Sequence, residues 1–202
     1  MTVTRACPAF SRECEAKTGM AQTRRSHKKT KIEHHHLLVR METKHCPSKD
    51  EVEVVKQKFQ QIIHDIRMKA LAPPTVRYLE EPKENKGMTG IMPIETSHIA
   101  FHFWDTPEKS ILTSPESKCL LQFDLYTCGT LSHAQIARVL EHMSCYSPVS
   151  AEITLLNRLH GLAIEKHVRW SRAERGPWAA WLRRFAGLSG SGGSARGRKL
   201  KV

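Results

Sequence analysis

Residues 119–127 alternate strictly, with Leu121, Phe123 and Leu125 set against Gln122, Asp124 and Tyr126. Successive side chains of a strand point to opposite faces, so this stretch reads as a strand with one apolar and one polar side. Gly129 ends it. Two amphipathic helices offer partners for the apolar side. Ser48 with Glu51 three residues on makes a capping box, and Val52, Val55, Phe59, Ile62, Ile63 and Ile66 follow at helical spacing. That helix runs to about Ala70, before Pro73-Pro74 stops the chain. Ser132 with Gln135 opens a second helix carrying Ile136, Val139, Leu140 and Met143.

The other strands are read from apolar and β-prone runs. Residues 32–43 contain Leu37-Leu38-Val39 and Met41, and residues 75–79 form a short strand. An extended segment begins at residues 90–93, and residues 99–104 are strongly β-prone. Residues 105–118 form a polar loop, and residues 152–159 a last strand that continues toward Ile164. The order β-α-β-β-β-α-β predicts an α+β two-layer sandwich, with a mostly antiparallel sheet and helices on one face. Three regions follow: a basic disordered arm over residues 1–31, a domain over 32–166, and a basic Trp/Arg and Gly/Ser-rich tail over 167–202. A short amphipathic helix is expected at 177–188, with Pro177 in its first turn.

The length of 202 residues suits one domain with long tails. No apolar run approaches the roughly 20 residues needed to cross a bilayer. The polar N-terminus has no apolar signal core, so a cytoplasmic protein without membrane contact is expected, with Met20 as an alternative start. The six cysteines form no CxxC pair and match no zinc spacing, so free thiols are expected. His34-His35-His36 alternate between strand faces, which argues against a shared metal ion. The net charge of +12 gathers largely at the two ends, where weak, sequence-independent contact with polyanions is expected.

The chemistry concentrates in Thr96-Ser97-His98-Ile99-Ala100-Phe101-His102 and Tyr126-Thr127-Cys128-Gly129. A serine with a histidine five residues on and a downstream Cys-Gly points to chemistry on the backbone itself. The serine attacks its own preceding peptide bond, the histidine serves as base and the cysteine as acid. Simple alternation puts Ser97 and His102 on opposite strand faces, so a bend at Ser97 is required.

The stretch Gly87-Met88-Thr89-Gly90-Ile91-Met92-Pro93-Ile94-Glu95-Thr96-Ser97-His98-Ile99-Ala100-Phe101-His102 resembles the processing region of prokaryotic-type S-adenosylmethionine decarboxylase proenzymes. Gln122-Phe123-Asp124-Leu125-Tyr126-Thr127-Cys128-Gly129 resembles their second signature, and His36-Leu37-Leu38-Val39 their opening strand. The resemblance covers roughly residues 32–166. It implies cleavage between Thr96 and Ser97 and conversion of Ser97 to a covalent pyruvoyl group. That group forms a Schiff base with the amine of S-adenosylmethionine and acts as an electron sink for decarboxylation. It further implies His102 as the processing proton acceptor, Thr89 as the hydroxyl assisting processing, and Cys128 as the general acid of turnover. A homodimer of processed protomers and supply of the aminopropyl donor for spermidine are implied too.

The chain departs from the family pattern in places. Thr96 stands where many members have Glu, Thr89 where serine is usual, and the span from His102 to Cys128 is longer, offering Asp105 and Glu108 as displaced carboxylates. That longer loop is expected near the substrate. One alternative keeps the scaffold and changes the substrate to arginine or ornithine. Another is an inactive homologue that binds nucleic acid through its basic ends.

Overall fold

The computed structural model describes residues 32–187. Its main elements are β1 (His35–Thr43), α1 (Val52–Asp65), β2 (Thr75–Leu79), β3 (Gly87–Ile94), β4 (Ser97–Trp104), β5 (Cys119–Thr127), α2 (His133–His142), β6 (Pro148–Asn157), β7 (Ala163–Ser171), α3 (Arg172–Arg175) and α4 (Trp178–Phe185). The strands form one sheet in the order β2-β3-β4-β5-β1-β6-β7, and every pairing is antiparallel. This is the expected α+β sandwich, with seven strands instead of the five read from sequence.

Both extra strands come from tight reversals. The run across residues 90–104 is a hairpin, β3 and β4, folded at Glu95-Thr96. The last strand turns back through Gly161, at φ +149°, into β7. β7 carries Glu165, Lys166, His167 and Arg169, the charged make-up of an edge strand, and so gives little apolar signal. The break placed after Lys166 falls inside β7. Trp170, Trp178, Trp181 and Leu182 then join the core, so the apolar side of the expected tail helix is buried against the domain. Trp178 and Trp181 stack with centroids 5.1 Å apart, and Trp170 meets Trp178 edge-on at 4.8 Å. The arm over 1–31 and most of the Gly/Ser-rich stretch lie outside the described residues.

One sheet face is the core. Leu37, Val39 and Met41 of β1, Phe101 and Phe103 of β4, and the three apolar residues of β5 pack on α1 and α2. Phe59 of α1 meets Phe101 at a ring distance of 4.4 Å. Both capping boxes form: the Ser48 amide donates to Glu51 at 2.7 Å, and the Gln135 amide to the Ser132 hydroxyl at 3.3 Å. α1 ends at Asp65, short of Ala70, because Arg67 adopts φ +58°. Among the described residues no helix is long and apolar enough to cross a membrane.

The loop over 105–118 does not lie beside Ser97 of its own chain. It docks on Glu42, a fully buried carboxylate at the far end of β1. Glu42 accepts from the Thr113 amide (2.9 Å), the Thr113 hydroxyl (2.9 Å), the Ser117 hydroxyl (2.7 Å) and Arg40 Nη1 (2.9 Å). Glu42 pairs with Leu120 and Ser97 with Thr127, which separates the two ends by about 24 Å along β5. Beside this loop the expectation of free thiols fails, because Cys46 and Cys119 form a disulfide. They are separated by 73 positions in sequence, but β1–β5 pairing brings their Cα atoms to 5.8 Å, within bridging range. Cys128 and Cys145 remain free.

Candidate active site

Ser97 opens β4 directly after a two-residue reversal, in register with Ile94. Such reversals favour positive φ within the loop, which is why Asn-Gly suits them. Neither Glu95 nor Thr96 adopts it; Ser97 does, at φ +153°. Holding a non-glycine residue there costs about 1–3 kcal/mol. The strain therefore sits on the Thr96–Ser97 link, but β4 runs on in unbroken register and no bend brings Ser97 to His102. The hairpin is braced from outside by the Glu95 amide on the Lys69 carbonyl (2.9 Å) and the Leu71 amide on the Pro93 carbonyl (3.0 Å).

β5 delivers the second component. Its end faces Ser97, and the Cys128 amide donates to the carbonyl oxygen of Thr96 at 3.0 Å. The Thr127 hydroxyl donates to the Thr96 hydroxyl at 2.8 Å and accepts from the Gly129 amide at 3.0 Å. A side chain at Gly129 would press on this pair, its Cβ meeting Thr127 Oγ1 at 3.3 Å. A backbone donor aimed at a carbonyl is the arrangement that stabilises an oxyanion when that carbonyl is attacked.

On the open face, the Ser97 hydroxyl lies 3.0 Å from His98 Nδ1. His98 Nε2 lies 3.4 Å from Asp124 Oδ2, and His36 Nε2 lies 3.2 Å from the same oxygen. Arg158 approaches His36 Nδ1 at 3.4 Å. Arginine only donates, so His36 Nδ1 accepts and its Nε2–H points to Asp124. Burial pushes the Asp124 carboxyl up, but the hydrogen bonds and charges of His36 and His98 outweigh it and hold the carboxyl below its ordinary range. His98 and Asp124 are not among the site residues expected from the sequence. The signal was present in the Ser-His pair and in the polar side of β5.

The histidine triplet divides as strand geometry requires. His35 turns to the helix side and accepts from the Leu131 amide at 3.1 Å, while His34 contacts the Tyr126 hydroxyl at 2.7 Å.

His102 and Thr89 form a separate group. They face one another across β3 and β4, about 17 Å along the sheet from Ser97. The Thr89 hydroxyl donates to the Phe101 carbonyl at 3.2 Å. His102 packs on Trp104, with centroids 4.1 Å apart, and its buried Nε2 has no hydrogen-bond partner. Burial pushes its imidazole below the ordinary value, against a hydrogen bond it donates to the Asn85 backbone, so a neutral proton acceptor is favoured. The two residues line a concavity of about 710 Å3 with Arg40, Arg77, Gln122 and Asp124. One chain thus joins Thr96, Ser97 and Cys128, and keeps Thr89 and His102 apart from them.

The family model of S-adenosylmethionine decarboxylase matches residues 35–144. The chain belongs to that family. No curated protein matches it. Family members are pyruvoyl-dependent decarboxylases, and the matched range holds both residue groups just described. β6, β7 and α4 lie beyond it.

Proposed function

We propose that this chain is a self-processing S-adenosylmethionine decarboxylase that cuts itself between Thr96 and Ser97 and converts Ser97 into its pyruvoyl group. What carries this function is the Thr96–Ser97 link, strained at Ser97 and with its carbonyl held by the Cys128 amide. Attack of Ser97 Oγ on that carbonyl turns the amide into an ester, and the Cys128 amide stabilises the charge developing on oxygen. His102, with burial favouring its neutral form and with Nε2 lacking a hydrogen-bond partner, suits removal of the Cα proton of residue 97. Once formed, the pyruvoyl ketone supplies the electron sink for decarboxylation. The Cys128 thiol, free and partly exposed at the same strand end, suits proton return to the substrate. The product would serve as aminopropyl donor for spermidine.

Since His102 stands far from its own Ser97, the function requires a second protomer. In the homodimer each site takes Ser97 and Cys128 from one chain and His102 and Thr89 from the other. Leu38 and Ile91, exposed on the open sheet face, support burial of that face between protomers.

Intact-mass measurement of purified protein tests the cut. The expected species end at Thr96 and begin with a pyruvoyl group, and an unbroken chain with an ordinary Ser97 would overturn the assignment. Carbon dioxide release from S-adenosylmethionine, arginine and ornithine then tests the substrate, and reaction with only a basic amino acid would overturn S-adenosylmethionine.

A further inference from the structure

We infer that His98 is the base that starts the cleavage, with Asp124 as its positioning residue; this rests on Thr96–Ser97 being the scissile bond. His98 Nδ1 is 3.0 Å from the attacking oxygen, which makes His98 the imidazole in contact with the hydroxyl. With Nε2–H turned to Asp124 Oδ2 at 3.4 Å, the Nδ1 lone pair faces that hydroxyl. The order hydroxyl, imidazole, carboxylate is that of an activated serine nucleophile. Asp124 is fixed in turn by His36 at 3.2 Å, so the carboxylate holds the ring from a second strand.

The step balances within the chain. As the Ser97 Oγ–C bond to the Thr96 carbonyl carbon forms, the hydroxyl proton passes to His98 Nδ1. The oxygen of the tetrahedral centre bears the negative charge and faces the Cys128 amide. Collapse breaks the C–N bond, and the proton on His98 goes to the departing Ser97 nitrogen. An amide becomes an ester and an amine, and nothing is consumed.

The test follows the full chain after cell-free synthesis, in the presence of hydroxylamine. Hydroxylamine opens esters far faster than amides, so fragment release reports the first step alone. Wild type should be cut. His98→Gly and His98→Gln should be cut slower by about 10²-fold or more. Added imidazole should restore the Gly variant, which recovery of folding alone would not do. Asp124→Asn should also slow release, and Asp124→Glu should recover part of it. A His98→Gly chain cut at the wild-type rate overturns this role while leaving the scissile bond in place. A wild-type chain left whole overturns the scissile bond and this role together.

Discussion

The backbone amide of Cys128 points at the carbonyl oxygen of Thr96, 3.0 Å away. Cys128 thereby has two separable parts, an amide suited to processing and a thiol suited to turnover. Cys128→Ala keeps the amide and should mature normally but lose turnover by about 10²–10⁴-fold. Cys128→Pro removes the donor and should slow maturation by about 10²–10³-fold. Fragment appearance on a denaturing gel, read beside carbon dioxide release, distinguishes the two.

The distance between Ser97 and His102 predicts complementation. Neither Ser97→Ala nor His102→Ala should be active alone. Co-expressed, they should form mixed dimers in which the His102→Ala chain matures with the histidine of its partner. Activity in the mixture, with a pyruvoyl terminus found only on the His102→Ala chain, is the expected result. An inactive mixture would show that His102 serves its own chain.

Glu42 gathers its hydrogen bonds in a place closed to water. Glu42→Ala should cost about 1–3 kcal/mol, because it strands the loop donors of Thr113 and Ser117. Urea unfolding measures the loss, and limited proteolysis should then cut within residues 105–118.

Acid stability should fall in two stages. Burial holds His102 below its ordinary 6.5, so the unfolded chain binds this proton first as pH falls. Stability from neutral His102 is complete above that value and is lost as pH drops through the folded one. Burial pushes Glu42 up, but Arg40, Ser117 and Thr113 outweigh it and leave the carboxyl below its ordinary 4.5. Its contribution is present above 4.5 and disappears at lower pH. Urea midpoints against pH should show both stages, with His102→Gln removing the first and Glu42→Gln reducing the second.

Trp181 tests whether the last region is separable. Trp181→Ala should destabilise the domain by about 3–5 kcal/mol. Deleting residues 167–202 removes half of β7 as well as α4, and should leave insoluble protein, not a trimmed domain.

Sequence disclosed what depends on local period. The alternation of β5 and the two capped helices needed no distant information, whereas the approach of Ser97 to Thr127 and Cys128 needed the β4–β5 pairing. It concealed whatever depends on chain reversal. His102 is near Ser97 in sequence, but a straight strand carries it away at about 3.4 Å per residue. The Cys46–Cys119 link needed the β1–β5 register, and His98 and Asp124 became visible as a pair only once β4 lay beside β5. β7 was obscured because an edge strand rich in charge lacks the apolar mark of an inner one.

β1 runs between β5 and β6, and it belongs to the part of the chain before residue 96, while both neighbours belong to the part after it. Severing the backbone at that point would leave two polypeptides interleaved like clasped fingers, with β3 still zipped to β4 and Cys46 stapled to Cys119. Maturation would then need no disassembly, and the pieces would migrate apart on a denaturing gel only after a reductant had opened the staple.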